Sequence, residues 1–201
     1  MALPVTVAVE GASDVPVLRK VLEHCGCTIH VVHGRAGKGQ IDRNLKGYNN
    51  AARYSPWVVL RDLDHDAQCP KALVDRLLPA PAHWMRLRIA VREIESWLLA
   101  DPERMARFLR LRRRALPGDL DQLADPKQAL VNLARQSPIS AIRQDMVPAP
   151  GTSGSVGPAY VSRITEFAKD HWRPAVAVRN SESLRRSVDR IGTLLEYVAQ
   201  A

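Results

Sequence analysis

VAVEGASD, residues 7–14, carries a β-branched run onto a carboxylate and a glycine and then turns at once into a helical pattern. VVLRDLD (58–64) and IAVREIE (89–95) repeat the form: an aliphatic run that stops on acids. Between them the chain alternates between strand and helix patterns. Strands are predicted at Val5–Val9, Thr28–Val32, Trp57–Leu60 and Met85–Val91. Helices are predicted at Val15–His24 (with Ser13 as N-cap), Ile41–Tyr54, Lys71–Leu78 and Ile94–Leu99. Repeated βα alternation implies an α/β fold, a mainly parallel four-stranded sheet flanked by helices, whose strand ends share one edge.

The second half reads as a helical extension. Pro102–Arg114, Lys127–Gln136, Tyr160–His171 and Ser183–Ala201 have helical spacing, and Val147–Pro158 (VPAPGTSGSVGP) reads as a loop or lid. Ile164, Phe167 and Ala168 are expected to face inward. In the last helix Leu184, Val188, Ile191, Leu195 and Val198 form the expected apolar stripe. Residues 1–100 are thus expected to form the α/β core. Residues 101–201 are expected to pack on it without forming an independent domain.

With 201 residues and 46% apolar composition, the chain is expected to fold around one full-sized core. No apolar run is long enough for a bilayer, and the N-terminus lacks a basic segment before its apolar stretch. Three cysteines are too few for a disulfide framework, so a cytoplasmic location is expected. The net charge is +8, mostly an excess of arginine, and one basic stretch is dense: Arg104, Arg107, Arg110, Arg112, Arg113 and Arg114. Such a stretch suits a polyanion, nucleic acid in particular, although a solvated helix face would read the same way.

Glu10 and Asp14, Asp62 and Asp64, and Glu93 and Glu95 all fall where strands end. Six acids at one sheet edge would repel one another without a compensating cation, and hard oxygen donors select Mg²⁺ or Mn²⁺, one or two ions. Taken singly, Asp14 is an ordinary first-turn acid and Asp62-Leu63-Asp64 an ordinary polar loop. Glu10 has no such structural excuse, and Gly11 would let a ligand approach the backbone. GRAGKGQ (34–40) lacks the spacing and the Ser/Thr of a phosphate-binding loop.

A hydrophobic strand ending in Glu10-Gly11, followed by Asp62-x-Asp64 after a later strand, resembles the TOPRIM domain. The acid one turn after the first Glu (Asp14) and the Glu93-Ile94-Glu95 pair resemble its OLD-like nuclease branch. REIESWLLAD (92–101) and HWRP with SESLRRS also resemble a bacterial family of small stand-alone TOPRIM-like proteins, often encoded beside an ATPase in defence cassettes. The resemblance implies Mg²⁺-dependent phosphodiester chemistry. Topoisomerases and primases use further domains that do not fit here, and the four tyrosines lie in unremarkable contexts, which leaves a nuclease.

The expected mechanism places metal on Glu10, Asp14, Asp62, Asp64, Glu93 and Glu95, with Glu10 as general acid/base. Lys169 and Arg185 are the expected cations for the phosphate, with Lys38 a third. Lys38, Arg107, Arg110 and Arg113 are the expected nucleic-acid contacts. A homodimer and an ATPase partner are further expectations. The alternative is a non-catalytic metal-binding subunit of an ATPase or a nucleic-acid sensor. A receiver-like or phosphatase reading fits less well, because the acids after the first strand do not match either pattern.

Overall fold

The computed structural model describes residues 2–120 and 122–198, with the backbone alone at 197 and 198. Its first half is β1 (Leu3–Val9), α1 (Asp14–His24), β2 (Cys27–Gly34), α2 (Lys38–Ala51), β3 (Trp57–Asp62), α3 (Pro70–Leu77), β4 (Met85–Ala90) and α4 (Glu95–Leu99). The four strands form one all-parallel sheet in the order β2-β1-β3-β4. This is the α/β architecture expected from the alternation.

Strand pleating divides the core. Val5, Val7, Val9, Val58, Leu60 and Ala90 face one layer with α1 and the helical second half. Ala8, Trp57, Val59, Met85, Leu87 and Ile89 face the other, against α2 and α3. Because β1 and β3 are adjacent while the chain leaves β1 toward β2, strand order reverses between them. That switch point opens a crevice at the carboxyl ends of the strands.

The second half is α5 (Pro102–Phe108), a 3-10 turn (Arg113–Ala115), α6 (Pro126–Arg135), α7 (Ser140–Met146), α8 (Tyr160–Glu166), a π-helical turn (Phe167–His171), α9 (Pro174–Ala177) and α10 (Glu182–Val198). Three expectations are corrected. The helix expected over 102–114 ends at Phe108, where Arg110 enters the left-handed region (φ 57°) that an α-helix does not accommodate. Ser13 makes no capping bond to the helix backbone; its hydroxyl instead donates to Asp14. In α10 Leu184, Ile191 and Leu194 are buried, whereas Leu195 is exposed, since both Leu194 and Leu195 lie one turn from Ile191 and packing chooses between them. Helix α7 was not expected. Ile164, Phe167 and Ala168 do point inward. Residues 199–201 and the side chain of Val198 fall outside the described residues.

Candidate metal and phosphate site at the strand ends

Glu10 follows β1, Asp62 closes β3, and Glu93 and Glu95 follow β4, so parallel pairing brings all three segments to one edge. Glu10 Oε1 accepts the backbone N–H of Asp62 at 2.9 Å, which ties the first two together. Asp14 folds back across the turn, accepting from the Gly11 N–H (2.8 Å) and the Ser13 hydroxyl (3.1 Å). Asp14, Asp62 and Glu95 line one cavity of about 290 Å³ with Lys127, Tyr160 and the loop residues Ser155 and Val156.

The remaining acids point elsewhere. Glu93 is held by Lys127, from the backbone N–H (2.9 Å) and from Nζ (2.8 Å). Asp64, in the left-handed region (φ 46°), binds Lys38 Nζ at 2.8 Å, and Lys38 also contacts Asp66. Asp62 and Asp64, both expected to hold metal, therefore turn their side chains to different surroundings. Asp62 faces the cavity, while Asp64 belongs to a salt-bridge network beside it. Buried Arg61 organises that network, binding Asp42 (2.9 and 3.1 Å), Asp66 (2.7 Å) and the Asp62 carbonyl (2.7 Å).

Crowding acids away from water makes them hard to ionise. Burial lifts the Glu10 pKa to about 7, opposed by the Asp62 N–H and the charge of Arg61. Burial likewise lifts Glu95 to about 7, against the pull of Lys127. Asp62 is raised well above the usual carboxylate range by burial and then by Asp14, Glu95 and Glu10, and Asp14 is raised by burial. Burial opposes the charge on Lys127, but Glu95, Glu93 and Asp62 outweigh it and raise its pKa.

Lys127 is the cation of this site, and the sequence reading missed it. Its Nζ lies 3.7 Å from Glu95 Oε1, and the Tyr160 hydroxyl donates to the same oxygen at 3.1 Å. One signal was available. Asp125-Pro126 opens α6, so Lys127 sits in a first turn, where the helix dipole disfavours a cation. Tyr160, read as unremarkable, is buried against Glu95. Lys169 lies exposed in the π-helical turn and does not line this cavity. Arg185 is on the surface of α10, paired with Glu182 and Asp189. Arg107 and Arg110 line a separate cavity of about 310 Å³ with Arg104, Phe108, Arg163 and His171. Arg113 is exposed in the 3-10 turn, and Lys38 is engaged by its two aspartates.

The donor set suits a hard dication. It consists of carboxylate oxygens, and Glu95 Oε2 is buried with no hydrogen-bond partner. Among the described residues, however, no three His, Cys, Asp or Glu side chains already close around a single point. Asp14, Asp62 and Glu95, with Glu10 behind them, are the residues that would hold the ion. Among the described residues, no helix is long and apolar enough to cross a membrane. Comparison with family models, with curated proteins and with solved structures gives no match to this chain.

Proposed function

We propose that the chain is a Mg²⁺-dependent phosphodiester hydrolase acting on nucleic acid, in keeping with its TOPRIM-like strand-end motifs. One observation carries the reading: the buried carboxyl groups of Asp14, Asp62 and Glu95 face one cavity at the sheet's switch point, with Lys127 beside them. Their raised pKa values mark a site where negative charge is costly until a cation arrives. A bound Mg²⁺ would lower the pKa of a ligated water and stabilise the departing oxygen. Glu10, with a pKa of about 7, is matched to taking a proton from water and returning it near neutral pH. Lys127 is placed to compensate charge on a phosphate oxygen entering the cavity.

The experiment uses the purified protein with plasmid and single-stranded DNA, in Mg²⁺, Mn²⁺ or EDTA. Cleavage is expected with the metals and none in EDTA. Asp62→Asn is expected to lose at least about 100-fold, on the scale of a missing metal or proton-transfer group. Metal-independent cleavage, or full activity in Asp62→Asn, would overturn the scheme. A second reading draws on the Lys127 pairs: a lysine that already neutralises Glu93 and Glu95 suits a non-catalytic subunit, whose acids serve assembly. That reading requires Asp62→Asn to retain any cellular function of the protein.

A further inference from the structure

Strand β4 is one edge of the sheet, and its alternation gives it two characters. Met85, Leu87 and Ile89 pack into the layer of α2 and α3, while Arg86 and Arg88 reach toward α10. Beside them a cavity of about 510 Å³ opens between α3 and α10, lined by Lys71, Arg88, Arg186, Arg190, Asp189 and Ser183 among others. Its size is that of a small-ligand site.

Arg88 is incompletely satisfied. It makes only long bonds, to the carbonyls of Leu87 (3.3 Å) and Arg186 (3.4 Å), and its Nε is buried with no partner. Among the described residues, no carboxylate lies within ion-pairing distance of it. The acid on the cavity rim, Asp189, is engaged by Arg185, Glu182 is engaged by Arg185 and Arg186, and at the exposed mouth Lys71 pairs with Asp75. Burial, and then the charges of Arg190, Arg86 and Arg186, pull the Arg88 pKa down to about 10. A half-buried guanidinium among like charges, held only by long hydrogen bonds, is a costly arrangement that a phosphate anion in the cavity would relieve. The planar guanidinium fork matches phosphate oxygens in particular.

We propose that this cavity is a phosphate-binding site, with Arg88 as the inner, half-buried donor and Lys71, Arg186 and Arg190 as cations at its mouth. The ligand is a phosphoryl dianion or diester, supplied either by a free nucleotide or phosphate or by the backbone of a nucleic-acid strand. The site uses none of the carboxylates at the strand ends and stands whether or not the chain cleaves its ligand.

Binding is measured in EDTA, so that no cleavage is involved. The probes are inorganic phosphate, pyrophosphate and a mononucleotide, by calorimetry, and a short labelled single strand, by fluorescence anisotropy. Arg88→Met is expected to weaken binding at least about ten-fold, the scale of one charged hydrogen-bond partner. Arg190→Ala, on the exposed rim where folding is not at risk, is expected to weaken it about three-fold. Equal affinity for strand and mononucleotide assigns the site to nucleotides. Tighter strand binding, with a salt slope that falls by about one in Arg190→Ala, assigns it to a backbone. Unchanged affinity in both variants, or no binding of any probe at about 10 mM, overturns the proposal. Because the readout needs no metal, a protein that cleaves DNA in Mg²⁺ yet fails here would refute this site alone.

Discussion

Lys127 occupies a helix position that local electrostatics disfavours, and it stays there because Glu93 and Glu95 surround it. Lys127→Met leaves both acids without their cation. The variant is expected to melt several degrees below the wild type at pH 8, and closer to it near pH 5, where Glu95 takes up a proton; thermal melts at the two pH values check this. Glu95 gives a cleaner test. Its pKa rises from 4.5 to about 7 on folding, so the folded state prefers the neutral acid. That preference is fully present below pH 4.5, where the group is protonated in both states, and is lost as pH climbs toward 7 and ionisation is forced. The climb corresponds to about 3 kcal/mol. Glu95→Gln is therefore expected to lack this decline, and its stability relative to wild type in EDTA grows between pH 4.5 and 8; urea melts across that range test it. A constant difference would place Glu95 outside the buried cluster.

At the scale of elements, two loops frame the site through backbone contact. Gly34 ends β2 with φ +83°, and a Cβ there would meet the Val9 carbonyl oxygen at 2.2 Å, so the turn before α2 can lie directly on β1 only with glycine. Arg35 and Gly37 donate their N–H groups to Val9 and Glu10 from that turn. The loop Val147–Pro158 brings Ser155 and Val156 over the cavity, and Gly157 pins it where a Cβ would stand 2.5 Å from the Asp145 carbonyl oxygen. Gly157→Ala is expected to cost about 1–3 kcal/mol and to displace the loop, lowering any activity of the site. Gly154→Ala, whose Cβ would meet only ordinary contact, should leave stability within about 0.5 kcal/mol. Denaturant melts of the pair decide. Strands β1 and β3 were legible because burial on two faces leaves continuous apolar runs, and the edge strands β2 and β4 because β-branched or alternating apolar residues mark them between helical patterns. Helix α7 was not, because in SAIRQDM only Ile142 and Met146 are buried, too short a stripe to show a period.

Across the whole molecule one apolar cluster runs from Val5 in β1 through Trp97 in α4 to Leu194 in α10. Polar clasps reinforce it. The indole of Trp97 donates to the Ser183 hydroxyl (2.7 Å), and that of Trp172 donates to the Trp97 carbonyl (3.0 Å). Fully buried Asp101 accepts from Arg173 through N, Nε and Nη2, at 2.8–3.1 Å. Asp101→Ala removes these bonds and the cap of α5, leaving Arg173 only the exposed Glu103, and is expected to destabilise the protein by about 3 kcal/mol. Unfolding of wild type and variant alike should follow one transition when far- and near-ultraviolet circular dichroism are compared. Two separated transitions would show that residues 101–201 fold apart from the sheet.

The chain's one-dimensional pattern determined the α/β class, the four strands and the meeting of acids at their ends, since alternation and parallel pairing leave no other edge for them. It did not determine which acids share a cavity. Asp62 and Asp64 are two residues apart, yet one faces Glu95 and the other is held by Lys38. Nor did it single out Lys127, which lies more than thirty residues from its partners in sequence and 2.8 Å from Glu93 in space. Side-chain direction and long-range ion pairing depend on how helices close over a sheet. Only the tertiary structure decides that, because the energy of a charge is set by every group packed around it and not by its neighbours along the chain.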